Sequence, residues 1–92
     1  MANKWNFGKV SRVDRTSDSE QFVRDERGNL VAYIAGHCDN VGSFLCPQWR
    51  VYEYAAEVYD ANGDEVAQHG YFKTRPEAVA FVKQALKEVW GT

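Results

Sequence analysis

The sequence predicts an α+β fold, an antiparallel sheet of four to five strands (two hairpins) with one C-terminal helix packed on one face. Three observations carry this reading. Residues 58–66 alternate apolar and polar side chains on both sides of an Asn62-Gly63 turn. Residues 23–32 repeat that grammar at a constant offset, sharing Val, Asp, Gly, Val and Ala with residues 58–67. Residues 75–90 then run at helical spacing between a capping residue, Thr74, and a stop, Gly91. With 92 residues the chain forms a single domain, 1–92, because a division would leave neither half a core of its own.

Along the chain, a weak strand is expected within 7–13, where the apolar period is poor. The first hairpin pairs about 20–25 with 30–36, and two hairpins sharing one turn signature explain the internal likeness better than a duplication. Residues 37–48 form a long connection, in which Phe44 and Leu45 are expected to pack back as a lid, the alternative being an anchor held out to a partner. In the second hairpin Gly63 closes a three-residue loop of Ala61, Asn62 and Gly63. That loop pairs Asp60 with Asp64, Val58 with Val66, Ala56 with Gln68, Tyr54 with Gly70 and Tyr52 with Phe72. One face then gathers Tyr52, Tyr54, Ala56, Val58, Val66 and Phe72 as core, and the other Glu53, Glu57, Tyr59, Glu65, His69 and Tyr71.

The helix over 75–90 has Thr74 as N-cap, Pro76 in its first turn and Glu77 completing a capping box. Ala78, Val79, Val82, Ala85, Leu86, Val89 and Trp90 fall on one stripe, with Phe81 at its edge. Ala80, Lys83, Gln84 and Lys87 lie opposite. One helix covers one sheet face, so the second face meets water or a partner.

Apolar residues make up 45% of the chain and aromatics 14%, enough for a packed core and against wholesale disorder. No apolar run approaches the roughly 20 residues of a membrane span, and no signal-peptide core follows Met1-Ala2-Asn3-Lys4, so a cytoplasmic protein is expected. The net charge of −2 is unevenly placed. Residues 1–15 carry Lys4, Lys9, Arg12 and Arg15 against Asp14 alone. Residues 37–66 carry Asp39, Glu53, Glu57, Asp60, Asp64 and Glu65 against Arg50 alone, and the C-terminal segment turns mildly basic again.

Catalytic and metal chemistry find little support. Cys38, Cys46, His37 and His69 could supply a zinc tetrahedron, but the cysteines are eight apart and His69 lies on a distant strand, unlike the paired spacings of zinc sites. A Cys38–Cys46 disulfide would need an oxidising compartment, and reduced thiols are expected instead. Neither cysteine has an evident base, and the nucleotide-binding and nucleophile-elbow motifs do not occur, so no catalytic residue, metal or cofactor is assigned.

The stretch Trp49-Arg50-Val51, then Tyr59-Asp60-Ala61-Asn62-Gly63, then Gly70-Tyr71-Phe72-Lys73-Thr74-Arg75-Pro76-Glu77-Ala78-Val79-Ala80-Phe81 resembles the arm-type DNA-binding domain of phage tyrosine integrases. The resemblance covers residues 49–87 and implies a small antiparallel sheet leading into a helix, with the open sheet face reading DNA. In that family the open face is rich in Lys and Arg, whereas here it shows Glu53, Glu57 and Glu65, which would repel phosphates. In size, acidity and absence of catalytic residues the chain also resembles small phage-encoded inhibitors of CRISPR–Cas surveillance complexes.

These resemblances imply a non-enzymatic phage inhibitor, a monomer or weak dimer, that sets an acidic face against the basic groove of a host protein or ribonucleoprotein complex. The expected contacts are Glu53, Glu57, Tyr59, Glu65 and Tyr71, with Phe44 as a second patch. The alternatives are direct DNA or RNA binding through Lys4, Lys9, Arg12, Arg15, Lys73, Arg75, Lys83 and Lys87, and a homodimeric adaptor.

Overall fold

The computed structural model describes residues 5–91, apart from the side chain of His69. Among these residues, β1 (Asn6–Phe7), β2 (Ser11–Arg12), β3 (Ser19–Arg24), β4 (Leu30–Asn40), β5 (Trp49–Tyr59) and β6 (Glu65–Phe72) precede α1 (Arg75–Trp90). All strand pairs are antiparallel, in the order β1-β3-β4-β5-β6, with β2 also pairing β3. The expected α+β sheet with its C-terminal helix is therefore present. The weak strand of 7–13 is split into two strands of two residues each.

Period-2 alternation decides which side chains meet the helix. In β3 Ser19, Gln21 and Val23 are buried while Glu20, Phe22 and Arg24 are exposed. Val31, Ala32 and Ile34 of β4 and Ala56 and Val58 of β5 complete the sheet half of the core. The helix contributes Ala78, Val82, Ala85 and Leu86, the centre of the stripe read from the sequence, and Phe81 and Trp90 pack at its margins. Val89, expected on that stripe, is exposed near the last turn. Thr74 is extended and its Oγ1 accepts from the Glu77 backbone N–H, while Gly91 stops the helix in the left-handed region at φ 67°. No described helix is long and apolar enough to cross a membrane.

The second hairpin corrects the predicted register. At the turn the three-residue loop holds, since the Asp60 N–H donates to the Asp64 carbonyl and Gly63 has φ 83°. A bulge follows at once, so Val58 faces Ala67 rather than Val66, and Ala56 faces His69 rather than Gln68. A second irregularity brings Tyr54 opposite Phe72, and Gly70, not His69, stands opposite Ala55. Val66, assigned to the core by the sequence, is left 47% exposed, and Ala67 packs against the core instead. Tyr52 leaves the predicted core face for the same kind of reason. A bulge between β4 and β5 pairs His37 with Glu53 and Cys38 with Val51, so Tyr52 has no partner in register and is 44% exposed.

Of the long connection expected over 37–48, residues 37–40 belong to β4, and residues 41–48 form the turn that joins it to β5. β4 and β5 are each 11 residues long, about 37 Å, against about 24 Å for the 16-residue helix. Buried side chains end at Gly36 on β4 and Ala56 on β5, with Tyr54 packed at the margin, so the rest of the β4–β5 hairpin runs out beyond the helix as an arm. The molecule measures 53 × 21 × 20 Å, and its radius of gyration is 14.7 Å. A compact chain of this length would have about 12 Å. At the root of the arm a side chain on Gly36 would meet Ser19 Oγ, Val51 Cγ1 and Tyr54 Cε1 at 3.0 Å or less, so glycine lets the Tyr54 ring close over β4. Arg75 lies over that ring at 5.4 Å and donates to Gln21 Oε1.

Two substitutions test this packing, and the second separates the observed register from the predicted one. Leu86→Ala should lower unfolding free energy by about 2–5 kcal/mol, because Leu86 is fully enclosed. Val66→Thr should change it by less than about 0.5 kcal/mol, as expected for a surface position. Urea denaturation of the two variants checks both values.

Candidate protein-docking surface

The sheet face turned away from α1 is built by the residues that alternate with the core. Phe22 pairs with Tyr33, Tyr33 with Glu57, Tyr59 with Glu65, and His37 with Glu53. Residues directly opposite in antiparallel strands share a face. Glu53, Glu57, Tyr59 and Glu65, four of the five contact residues expected on this face from the sequence, are therefore brought onto one surface. Tyr71, 72% exposed, joins them beside His37, with ring centroids 6.3 Å apart. Sequence reasoning missed Glu20, Phe22, Tyr33, His37 and Tyr52. The alternation of β3 already pointed Glu20 and Phe22 outward, but only the pairing of β4 with both neighbours joins the two hairpins into one surface.

Tyrosine hydroxyls hold two of the carboxylates. Tyr59 donates to Glu57 Oε2 at 2.6 Å and Tyr33 to Glu20 Oε1 at 3.0 Å. Both phenols resist ionisation. Burial first, then the hydrogen bond to Glu20 and the charges of Glu20, Glu57 and Asp18, push Tyr33 up to about 12. Burial and the Glu57 hydrogen bond raise Tyr59 as well, and the charge of Glu53 is the main cause raising Tyr52. The hydrogen bonds restrain the rotamers of the two carboxylates and leave their other lone pairs open. Arg24 lies at the rim, its guanidinium 5.9 Å from the Phe22 ring centroid.

An open cleft at the root of the arm is lined by Asp18, His37, Cys38, Tyr52, Glu53 and Tyr71. Asp18 organises its wall, accepting from the Cys38 backbone N–H at 2.7 Å and lying 3.6 Å from His37 Nδ1. Cys38 and Cys46 are free thiols, one at the root of the arm and the other in the turn at its tip. Among the described residues no group of three or more His, Cys, Asp or Glu side chains is arranged to hold a metal ion.

Comparison with models of protein families, with curated proteins and with solved structures finds no match in any of the three.

The basic residues of the alternative reading stand in different settings. Lys4 lies outside the described residues. Arg12 turns back to the Arg15 and Ser17 carbonyls and to Cys38 Sγ. Arg75 is engaged with Gln21 and Tyr54, and the Lys83 ammonium sits 5.8 Å from the Phe7 ring centroid. Lys9, Arg15, Lys73 and Lys87 are exposed. Phe44, expected to pack back, stands 94% exposed instead, because the strands carry it away from the core.

The raised phenol of Tyr33 sets a sign for alkaline stability. Its folded value, about 12, exceeds the ordinary 10.0, so its contribution is complete below about pH 10 and is lost as pH rises through about 12. Tyr33→Phe should flatten that part of the fall and remove one late-ionising phenol from the tyrosinate absorbance titration.

Proposed function

We propose that the chain is a non-enzymatic inhibitor that docks its acidic, tyrosine-bearing sheet face against the basic, nucleic-acid-holding groove of a host protein. A CRISPR–Cas surveillance complex in the cytoplasm of a phage-infected bacterium is the partner class put forward. The observation that supports this most is the composition of the face: Glu20, Glu53, Glu57 and Glu65 lie among Phe22, Tyr33, Tyr59 and Tyr71, with Arg24 at the edge. A groove built for phosphates presents Lys and Arg at intervals, and spaced carboxylates meet the same donors. The tyrosines add contact area at low conformational cost, and two already hold their carboxylates in place. The phage setting rests on the resemblances drawn from the sequence, not on the sheet.

The face makes a quantitative expectation possible. Glu53→Gln, Glu57→Gln and Glu65→Gln combined remove three charges with little change of shape at intermediate or exposed positions. Binding to a purified, guide-loaded surveillance complex should weaken by about tenfold or more at low salt, about 1.4 kcal/mol. The salt dependence of the remaining affinity should be shallower, since screened charge pairs have been taken away. Surface plasmon resonance at two salt concentrations checks it. Unchanged affinity and slope in the triple variant, or no binding by the unaltered protein, would overturn the proposal.

A further inference from the structure

The arm ends in a turn that puts its least suitable residues at the centre. Ser43 N–H donates to the Cys46 carbonyl at 3.1 Å, and Cys46 N–H returns to Ser43 Oγ at 3.0 Å, so Phe44 and Leu45 occupy the two central positions. Tight turns favour Gly, Pro, Asn, Asp and Ser at such places, each for a backbone reason that neither Phe nor Leu provides. Their side chains are 94% and 86% exposed.

The backbone beneath them is well tied. Val41 N–H donates to the Gln48 carbonyl at 2.8 Å, and Asn40 Oδ1 accepts from both Gly42 and Gln48 at 3.0 and 2.9 Å. Gly42 is required by close approach, since a Cβ there would lie 2.4 Å from the Cys46 carbonyl oxygen and 2.8 Å from the Gln48 nitrogen. The two apolar side chains are thus presented by a braced loop at the far end of a projecting hairpin.

From this presentation we infer that the arm tip is an insertion element, seating Phe44 and Leu45 in an apolar pocket of a protein partner. The chemistry of the tip selects this occupant. Residues 40–49 carry no charged side chain, and Arg50 beside them stands opposite Asp39, so the tip offers no net positive charge to anionic lipid headgroups or phosphates. Neither described cleft of a second copy of this chain is an apolar pocket. The cleft at the arm root is walled by Asp18, His37 and Glu53, and the cleft between the two hairpin turns sets Trp5, Leu30 and Trp90 in a mainly polar lining with Asp25, Glu26 and Asp60.

The tip also continues the docking face, because Tyr52 and Glu53 lie on the same β5 strand at the arm's root. This deepens the proposed function and rests on it for the partner's character. The partner would carry a basic wall with an apolar pocket about 20 Å further along, the reach of six or seven residues of strand.

A benzophenone amino acid placed singly at position 44, 65 or 84 tests the tip and the acidic face separately in a bacterial lysate with an active CRISPR system. Position 44 should yield a nuclease-resistant protein adduct whose label maps among apolar side chains. Excess unlabelled protein should abolish it, whereas excess Phe44→Ser/Leu45→Ser should compete at least tenfold less well. Both substitutions are at exposed positions and leave the core untouched. Adducts from position 44 confined to the chain itself, to lipid or to nucleic acid overturn the inference. A protein yield no greater than that from position 84, on the outer helix surface, does the same. Labelling from 44 without labelling from 65 would uphold the tip and count against the acidic face, and the reverse would do the opposite.

Discussion

Among the described residues a single 16-residue helix sets against one side of a six-stranded sheet, and the second side is consequently left uncovered. Alternation along β3 and β5 carries Glu20, Glu57 and Tyr59 outward as it carries Val23 and Val58 inward, and in β4 an irregularity beside Val31 lets both Val31 and Ala32 be buried before Tyr33 turns outward. The helix is also too short to cover β4 and β5 to their ends. Core and open face, and the uncovered arm beyond Gly36, follow from the same mismatch between one helix and a larger sheet.

On the open face two carboxylates are paired with two phenols, Glu20 with Tyr33 and Glu57 with Tyr59. A carboxylate that accepts from a tyrosine gives up part of its rotamer freedom in the free protein. The bulges serve the same surface. The one opposite His37 and Cys38 re-aims Tyr52 towards the cleft that Tyr71 and Glu53 share, and the one beside Tyr59 moves Val66 out of the core.

Much of this was legible in the residues. Thr74, Pro76 and Gly91 marked the helix ends through local backbone chemistry, and Asp60 with Gly63 specified the second turn the same way. The face holding Glu53, Glu57, Tyr59 and Glu65 followed from period-2 alternation counted from that turn. Legibility ended where one residue is inserted into a ladder. The bulges at Val66 and Tyr52 leave the local pattern unchanged, and they are decided by how three strands bury their neighbours together. The outward stance of Phe44 and Leu45 was lost for a related reason. Strands that outrun the helix can be recognised only once both lengths are known, and nothing local shows that β4 runs on from His37 to Asn40 before the turn of 41–48.

Two-dimensional NMR of the aromatic rings tests the central claim most directly, that the acidic tyrosine face is the docking surface. A short poly-lysine peptide stands for the basic groove, and a DNA duplex for the competing partner. Resonances of Tyr33, Tyr59 and Tyr71 should shift on addition of the peptide and return with added salt, while Trp5 and Trp90 stay in place and DNA moves none of them. Shifts produced by DNA and centred on Phe7, beneath Lys83, with the tyrosines unmoved by the peptide, would contradict it.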